Sequence, residues 1–205
     1  MVDQLRSGPA ARRRSPLSHL ADAFAGADVT GPRGAALREV PFQTMVGLRA
    51  APGSASATAL GDVLGAPLPG RVGQTSVSGD HATLWLAPDE WLVVSGAEPE
   101  PLVGALAEAL GQARGAVVDL SANRTVLELT GPAARAVLEK GCPADLHPRV
   151  FGTGSAIATT LGPVPLVLWR SGEECYRLLP RASFADYVAR WLLDAMAELG
   201  LPEVS

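Results

Sequence analysis

Apolar and polar positions along residues 40–200 fall into two rhythms, short runs of period two and longer stretches with apolar residues three and four apart. The first predicts strands and the second amphipathic helices. A strand is expected over 40–49, and Ser54 is placed to cap a helix that runs to Leu64 and stops at Gly65. Residues 65–70 (Gly-Ala-Pro-Leu-Pro-Gly) read as a turn-rich linker, followed by strand-like runs near 73–78, 82–86 and 91–95 that suggest an antiparallel meander. From 99 to 110, Leu102, Val103, Leu106, Ala109 and Leu110 share one helical face, with Gly111 as the stop.

A second pass begins at 116–120 and continues through a strand at 125–130, a helix opened by Gly131-Pro132 and ending at Lys140, strands at 156–161, 164–169 and 176–179, and a helix from 183 to about 199. The order β–α–β–β–β–α occurs twice. The pattern predicts an α+β fold in which two such units pack together, each an antiparallel sheet covered by helices. Residues 1–38, rich in Arg, Ala, Gly and Pro, read as a flexible N-terminal arm with one amphipathic stretch at 17–24. The rest forms a domain over 39–200, with units 39–112 and 113–200.

Composition narrows the function. With 205 residues, 47% of them hydrophobic, the chain can bury a substantial core. A net charge of −4 with scattered basic residues offers no general attraction to phosphate backbones, so nucleic acid is not expected as a partner. No apolar run reaches the roughly 18 residues that a membrane helix needs. Arg12-Arg13-Arg14 is followed by Ser15, Pro16, Ser18, His19 and Asp22 instead of an apolar core, which fits a solvated tail better than an export signal. A cytoplasmic, reducing setting is expected, with Cys142 and Cys175 as free thiols.

Candidate chemistry is sparse. Gly152-Thr153-Gly154 begins like a dinucleotide-binding loop, but the third glycine and the preceding strand are missing, and Gly162-Pro163 breaks the helix that would have to follow. Cys142, Asp145 and His147 share a loop without the second ligand cluster that a metal site requires. Cys142 and His147 could pair as nucleophile and base only with an oxyanion site that the sequence does not show. Asp89-Glu90 and Glu173-Glu174 read as solvated turn carboxylates. Trp85, Trp91, Trp169 and Trp191 read as core or interface anchors.

Several of these stretches together resemble the γ subunit of heterotetrameric sarcosine oxidase. The matching runs are Leu84-Trp85-Leu86-Ala87-Pro88-Asp89-Glu90-Trp91-Leu92, Asp119-Leu120-Ser121 with Arg124-Thr125, Gly141-Cys142-Pro143-Ala144-Asp145-Leu146-His147-Pro148, and Ser183-Phe184-Ala185-Asp186-Tyr187 ahead of Trp191. That family is similar in turn to the aminomethyltransferase (T-protein) of the glycine cleavage system and to related folate-binding proteins, here through Asp119-Leu120-Ser121 and Leu127-Glu128-Leu129-Thr130-Gly131-Pro132-Ala133-Ala134. The resemblance implies the two-unit fold already read from periodicity.

It also implies a structural role in an enzyme that demethylates sarcosine oxidatively, passes the one-carbon unit to tetrahydrofolate and makes hydrogen peroxide. FAD, FMN, NAD and tetrahydrofolate would belong to the alpha and beta subunits and zinc to the delta subunit, with no catalytic, cofactor-binding or metal residue here. Candidate interface residues are Trp91, Arg124, Asp145 and His147. In the folate-using relatives an acidic pair follows the glycine turn of a hairpin, whereas this chain has Gly162-Pro163-Val164-Pro165-Leu166-Val167 there. That departure disfavours the alternative, a free-standing folate-binding protein of the aminomethyltransferase class.

Overall fold

The computed structural model describes residues 14–201. Its ten strands are β1 (Ala36–Val40), β2 (Thr44–Ala50), β3 (Thr75–Ser78), β4 (His81–Ala87), β5 (Glu90–Ser95), β6 (Gly115–Asp119), β7 (Val126–Thr130), β8 (Ala156–Leu161), β9 (Val164–Gly172) and β10 (Cys175–Pro180). Five α-helices accompany them: α1 (Ala21–Gly26), α2 (Ala55–Leu64), α3 (Pro99–Leu110), α4 (Ala134–Glu139) and α5 (Ala185–Met196).

The local signals act where expected. The Ser54 hydroxyl accepts from Ala57 N at 3.2 Å to start α2, and Gly65 ends it at φ 74, a left-handed value that side chains with a Cβ resist. Pro99 opens α3, where its missing N–H costs no helical hydrogen bond. In α5 the buried residues Ala185, Val188, Ala189, Leu192, Ala195 and Met196 recur at spacings of three and four, which turns one face of the helix to the core.

The strands form two five-stranded sheets, in the orders β6-β2-β5-β4-β3 and β1-β7-β10-β9-β8, with antiparallel pairing throughout. The two orders correspond strand for strand. In each sheet the first strand of a β–α–β–β–β–α unit pairs with the last strand of its own meander, and a fifth strand joins its other side. That fifth strand comes from outside the unit: β1 directly precedes β2 yet pairs with β7, and β6 directly precedes β7 yet pairs with β2. The expected division into 39–112 and 113–200 therefore does not follow the sheets, because β6 completes the first sheet and β1 the second.

The strand expected over 40–49 is also two strands. Pro41 lacks an N–H for the ladder, and Phe42 takes φ 58, so the chain turns a corner there and changes sheets. Phe42 is the only non-glycine with positive φ among the described residues, and such a conformation costs a bulky residue about 1–3 kcal/mol.

Three apolar core layers lie between four tiers of structure, helices, sheet, sheet and helices. Val46, Leu48, Trp91 and Val93 of the first sheet pack on α2 and α3 through Leu60, Leu64, Leu102 and Leu106. Met45, Leu84, Leu92 and Val94 meet Val126, Val167, Trp169 and Leu179 between the sheets. Leu127, Leu129, Leu166, Leu168 and Tyr176 face α1, α4 and α5. Part of the expected arm belongs to this third layer. Leu17, Leu20 and Phe24 are buried in it, and β1 follows as a sheet member, because an apolar stripe of that size gains about 1.5–3 kcal/mol per large side chain on burial. Residues 1–13 of that arm lie outside the described residues.

Candidate functional site

The loop at 141–148 is set by the end of α4. Leu138 O accepts from both Gly141 N and Cys142 N, at 3.1 and 2.8 Å, and Gly141 O accepts from Gly162 N of the β8–β9 turn at 2.9 Å. Cys142 and Leu146 point into the third layer, while Asp145 and His147 face outward. The Asp145 carboxylate accepts from His147 N at 2.9 Å, and His147 Nδ1 accepts from Arg149 N at 3.2 Å. Both side chains thus hold the turn by short-range bonds to the backbone. Cys142 is buried with Thr159 Oγ1 3.8 Å from its sulfur, so it and the outward His147 do not form a nucleophile–base pair.

Gly141 is required by close packing. A Cβ there would lie 2.7 Å from Cη2 of Trp191, so α5 and the loop could not keep their present separation. Gly141→Ala should lower stability by about 1–3 kcal/mol through overpacking. A shifted urea midpoint at constant m-value is the expected readout; an unchanged midpoint would mean that Trp191 moves aside at no cost.

The four candidate interface residues do not converge. Trp91 is 3% exposed, packs with α2 and α3, and donates its indole N–H to Pro69 O at 2.8 Å. It is a core residue of the first layer, on a different sheet from the 141–148 loop. Arg124 lies in the β6–β7 crossover, where it donates to Leu179 O at 2.8 Å. Burial, and then the nearby Arg181, lower its pKa from the ordinary guanidinium value. It lines a cleft of about 380 Å³ where the two crossovers pass each other, together with Arg14, Phe42, Thr44, Glu98, Asp119 and Ser121.

A second polar constellation was not foreseen. Arg38, Glu128, Arg177 and Trp169 stand in one transverse row across β1, β7, β10 and β9. The Glu128 side chain is only 4% exposed and is held from both sides, by Arg38 and by Arg177 Nε at 2.8 Å. Burial pushes its carboxyl up, but the hydrogen bonds and charges of the two arginines outweigh this, and its pKa lies below the usual value. Arg177 also lies over the Trp169 ring at 5.1 Å, whose buried indole N–H finds no acceptor among the described residues. The signal in the sequence was a lone charge in two apolar strands, Glu128 in β7 and Arg177 in β10, beside the adjacent pair Arg38 and Glu39 in β1.

The residues that could suggest a cofactor do not fit one. The turn at 152–155 leads into β8 and hydrogen-bonds to the other sheet, with Gly154 O accepting from Thr75 Oγ1 at 2.6 Å, so no helix N-terminus stands behind it to meet a pyrophosphate. The β8–β9 turn carries Gly162 and Pro163, with apolar residues following. Among the described residues no group of three or more His, Cys, Asp or Glu converges as a metal site, and no helix is long and apolar enough to cross a membrane.

The family model for the sarcosine oxidase, gamma subunit family matches residues 48–198. A sarcosine oxidase subunit gamma from Corynebacterium sp. (strain U-96) is 53% identical over 195 residues, 94% of each chain, and one from Arthrobacter sp. is 51% identical over 194 residues, again 94% of each. The chain belongs to the sarcosine oxidase gamma subunit family. A solved heterotetrameric sarcosine oxidase from Corynebacterium sp. U-96, in complex with pyrrole 2-carboxylate, contains a chain 52% identical, with a TM-score of 0.90 over 94% of this chain and 99% of that one.

The fold extends beyond the gamma family. Aminomethyltransferase T of the glycine cleavage system from Bartonella henselae superposes with a TM-score of 0.64 at 18% identity, over 87% of this chain and 56% of that one. At that identity the likeness is one of architecture. It agrees with the α+β, two-unit fold expected for this gamma-family chain from its periodicity.

Proposed function

We propose that this chain is the structural gamma subunit of a cytoplasmic heterotetrameric sarcosine oxidase, assembled with alpha, beta and delta subunits. The observation that carries the reading is the likeness, over nearly the full length of both chains, to one chain of a solved heterotetrameric sarcosine oxidase. The complex demethylates sarcosine to glycine oxidatively, transfers the one-carbon unit to tetrahydrofolate and reduces oxygen to hydrogen peroxide. FAD, FMN, NAD and tetrahydrofolate sit in the alpha and beta subunits and zinc in delta. In such an enzyme the cofactors carry the chemistry, and a chain that holds none contributes by fixing the subunits that do.

Arg124 and the outward Asp145 and His147 are the interface residues of this reading. The test is co-expression of the full chain with the other three subunits, beside calorimetric titration of the lone chain with tetrahydrofolate and FAD. Stoichiometric co-purification is expected, with no micromolar binding of either compound to the lone chain. Changing Asp145 and His147 together to alanine should lower the yield of complex more than the turnover of each assembled complex. Folate binding in the micromolar range by a lone chain that retains no partner would instead identify a free-standing folate-binding protein.

A further inference from the structure

The corner between β1 and β2 carries two unfavourable features at one residue. Phe42 is held at φ 58, which glycine or asparagine would adopt with less strain, and its ring is 56% exposed. Among the described residues, the conformation is strained and the apolar surface stays in water. Both features become useful if another molecule covers the ring, because residues held in strained conformations cluster at binding sites and aromatic rings anchor interfaces.

Phe42 shares the cleft between the crossovers with Arg124. A guanidinium has five N–H donors. Arg124 donates to the carbonyl of Leu179, and no carboxylate among the described residues forms an ion pair with it. The acids of the cleft are otherwise placed: one Asp119 oxygen accepts from the backbone N–H and hydroxyl of Ser121, at 2.8 and 2.6 Å, and Glu98 is exposed ahead of α3. An acceptor from outside would find a half-buried cation beside an exposed aromatic ring.

We infer that this cleft seats a segment of a partner subunit that presents a carboxylate to Arg124 and an apolar side chain to Phe42. The inference rests on the reading of the chain as a subunit. A free carboxylate compound would satisfy Arg124 but leave the Phe42 ring in water, whereas a polypeptide segment supplies both groups at once.

The test uses the full chain co-expressed with the alpha, beta and delta subunits. Phe42→Gly should leave the melting temperature of the lone chain unchanged or raised, since glycine accepts the backbone conformation, while weakening association by about tenfold or more. Phe42→Asn, which tolerates the same φ, should do likewise. Arg124→Gln should weaken association and flatten its dependence on salt. If the wild type fails to associate, the subunit reading and this inference fall together. If the wild type associates and Phe42→Gly binds equally tightly, only the docking cleft is wrong. A photo-cross-linker at position 42 that captures a second copy of this chain, and no other subunit, would also overturn it.

Discussion

Trp91→Ala should destabilise the isolated chain by about 3–5 kcal/mol, the range for emptying a buried tryptophan site. The ring sits against α2 and α3 in the first layer, among Leu60, Leu64, Leu102 and Leu106, and its N–H satisfies the carbonyl of Pro69 in the linker between α2 and β3. Alanine would leave a cavity between a sheet and two helices that hold each other apart, and would also free the Pro69 carbonyl. Trp91→Phe should retain most of the packing and lose the hydrogen bond, so it should cost about 1–2 kcal/mol. Equilibrium urea unfolding of both variants separates the two contributions. A loss under 1 kcal/mol for Trp91→Ala would mean that the layer collapses to fill the space. A Trp91→Ala chain that folds as stably as wild type but no longer assembles would return this residue to the subunit interface.

The repeated β–α–β–β–β–α order was legible because each of its signals is local. The apolar run that opens 91–95, the Ser54 cap, the Gly65 and Gly111 stops and the three-and-four spacing in α5 depend only on neighbours in the chain. The exchange of edge strands was not. Pairing of Ala36–Val40 with Val126–Thr130 joins segments far apart in sequence, and the order Ala36-Leu37-Arg38-Glu39-Val40 favours neither sheet over the other. Pro41 inside the expected 40–49 strand was the available warning, since proline interrupts a ladder. Phe42 gave none, because a left-handed corner is usually announced by glycine.

Side-chain roles divided in the same way. Burial of Trp91 could be expected from a large ring entering an apolar strand, and the turn-forming roles of Asp145 and His147 from their place between Pro143 and Pro148. Glu128 was missed because Val126-Leu127-Glu128-Leu129 reads as a strand with one face in water. Here both faces of that strand are covered, by helices on one side and by the other sheet on the other, so its polar position is buried. The sequence held the compensating charges as well, but Arg38 and Arg177 become neighbours of Glu128 only through the register of three strands.

Replacing Arg38 and Arg177 together by methionine should therefore cost about 3–5 kcal/mol near neutral pH, because it leaves a buried carboxylate without a counter-charge. The penalty follows the buried member of the group: Arg38 is 71% exposed and can return to water, whereas Glu128 cannot. Adding Glu128→Gln to the double variant should recover most of the loss, and the failure of the effects to add is the coupling to be measured. The acid branch of the stability curve gives an independent check. Since the folded pKa of Glu128 lies below its unfolded value, the carboxylate's contribution is complete above the unfolded pKa, about 4.3 for a free glutamate, and disappears as pH falls through the folded one. The wild type should accordingly lose stability more steeply than Glu128→Gln in that acid window, and the two should run parallel above it. Equal acid slopes, together with a double-methionine variant within 1 kcal/mol of wild type, would show that water reaches Glu128 and that this row of charges does not hold β1, β7 and β10 in register.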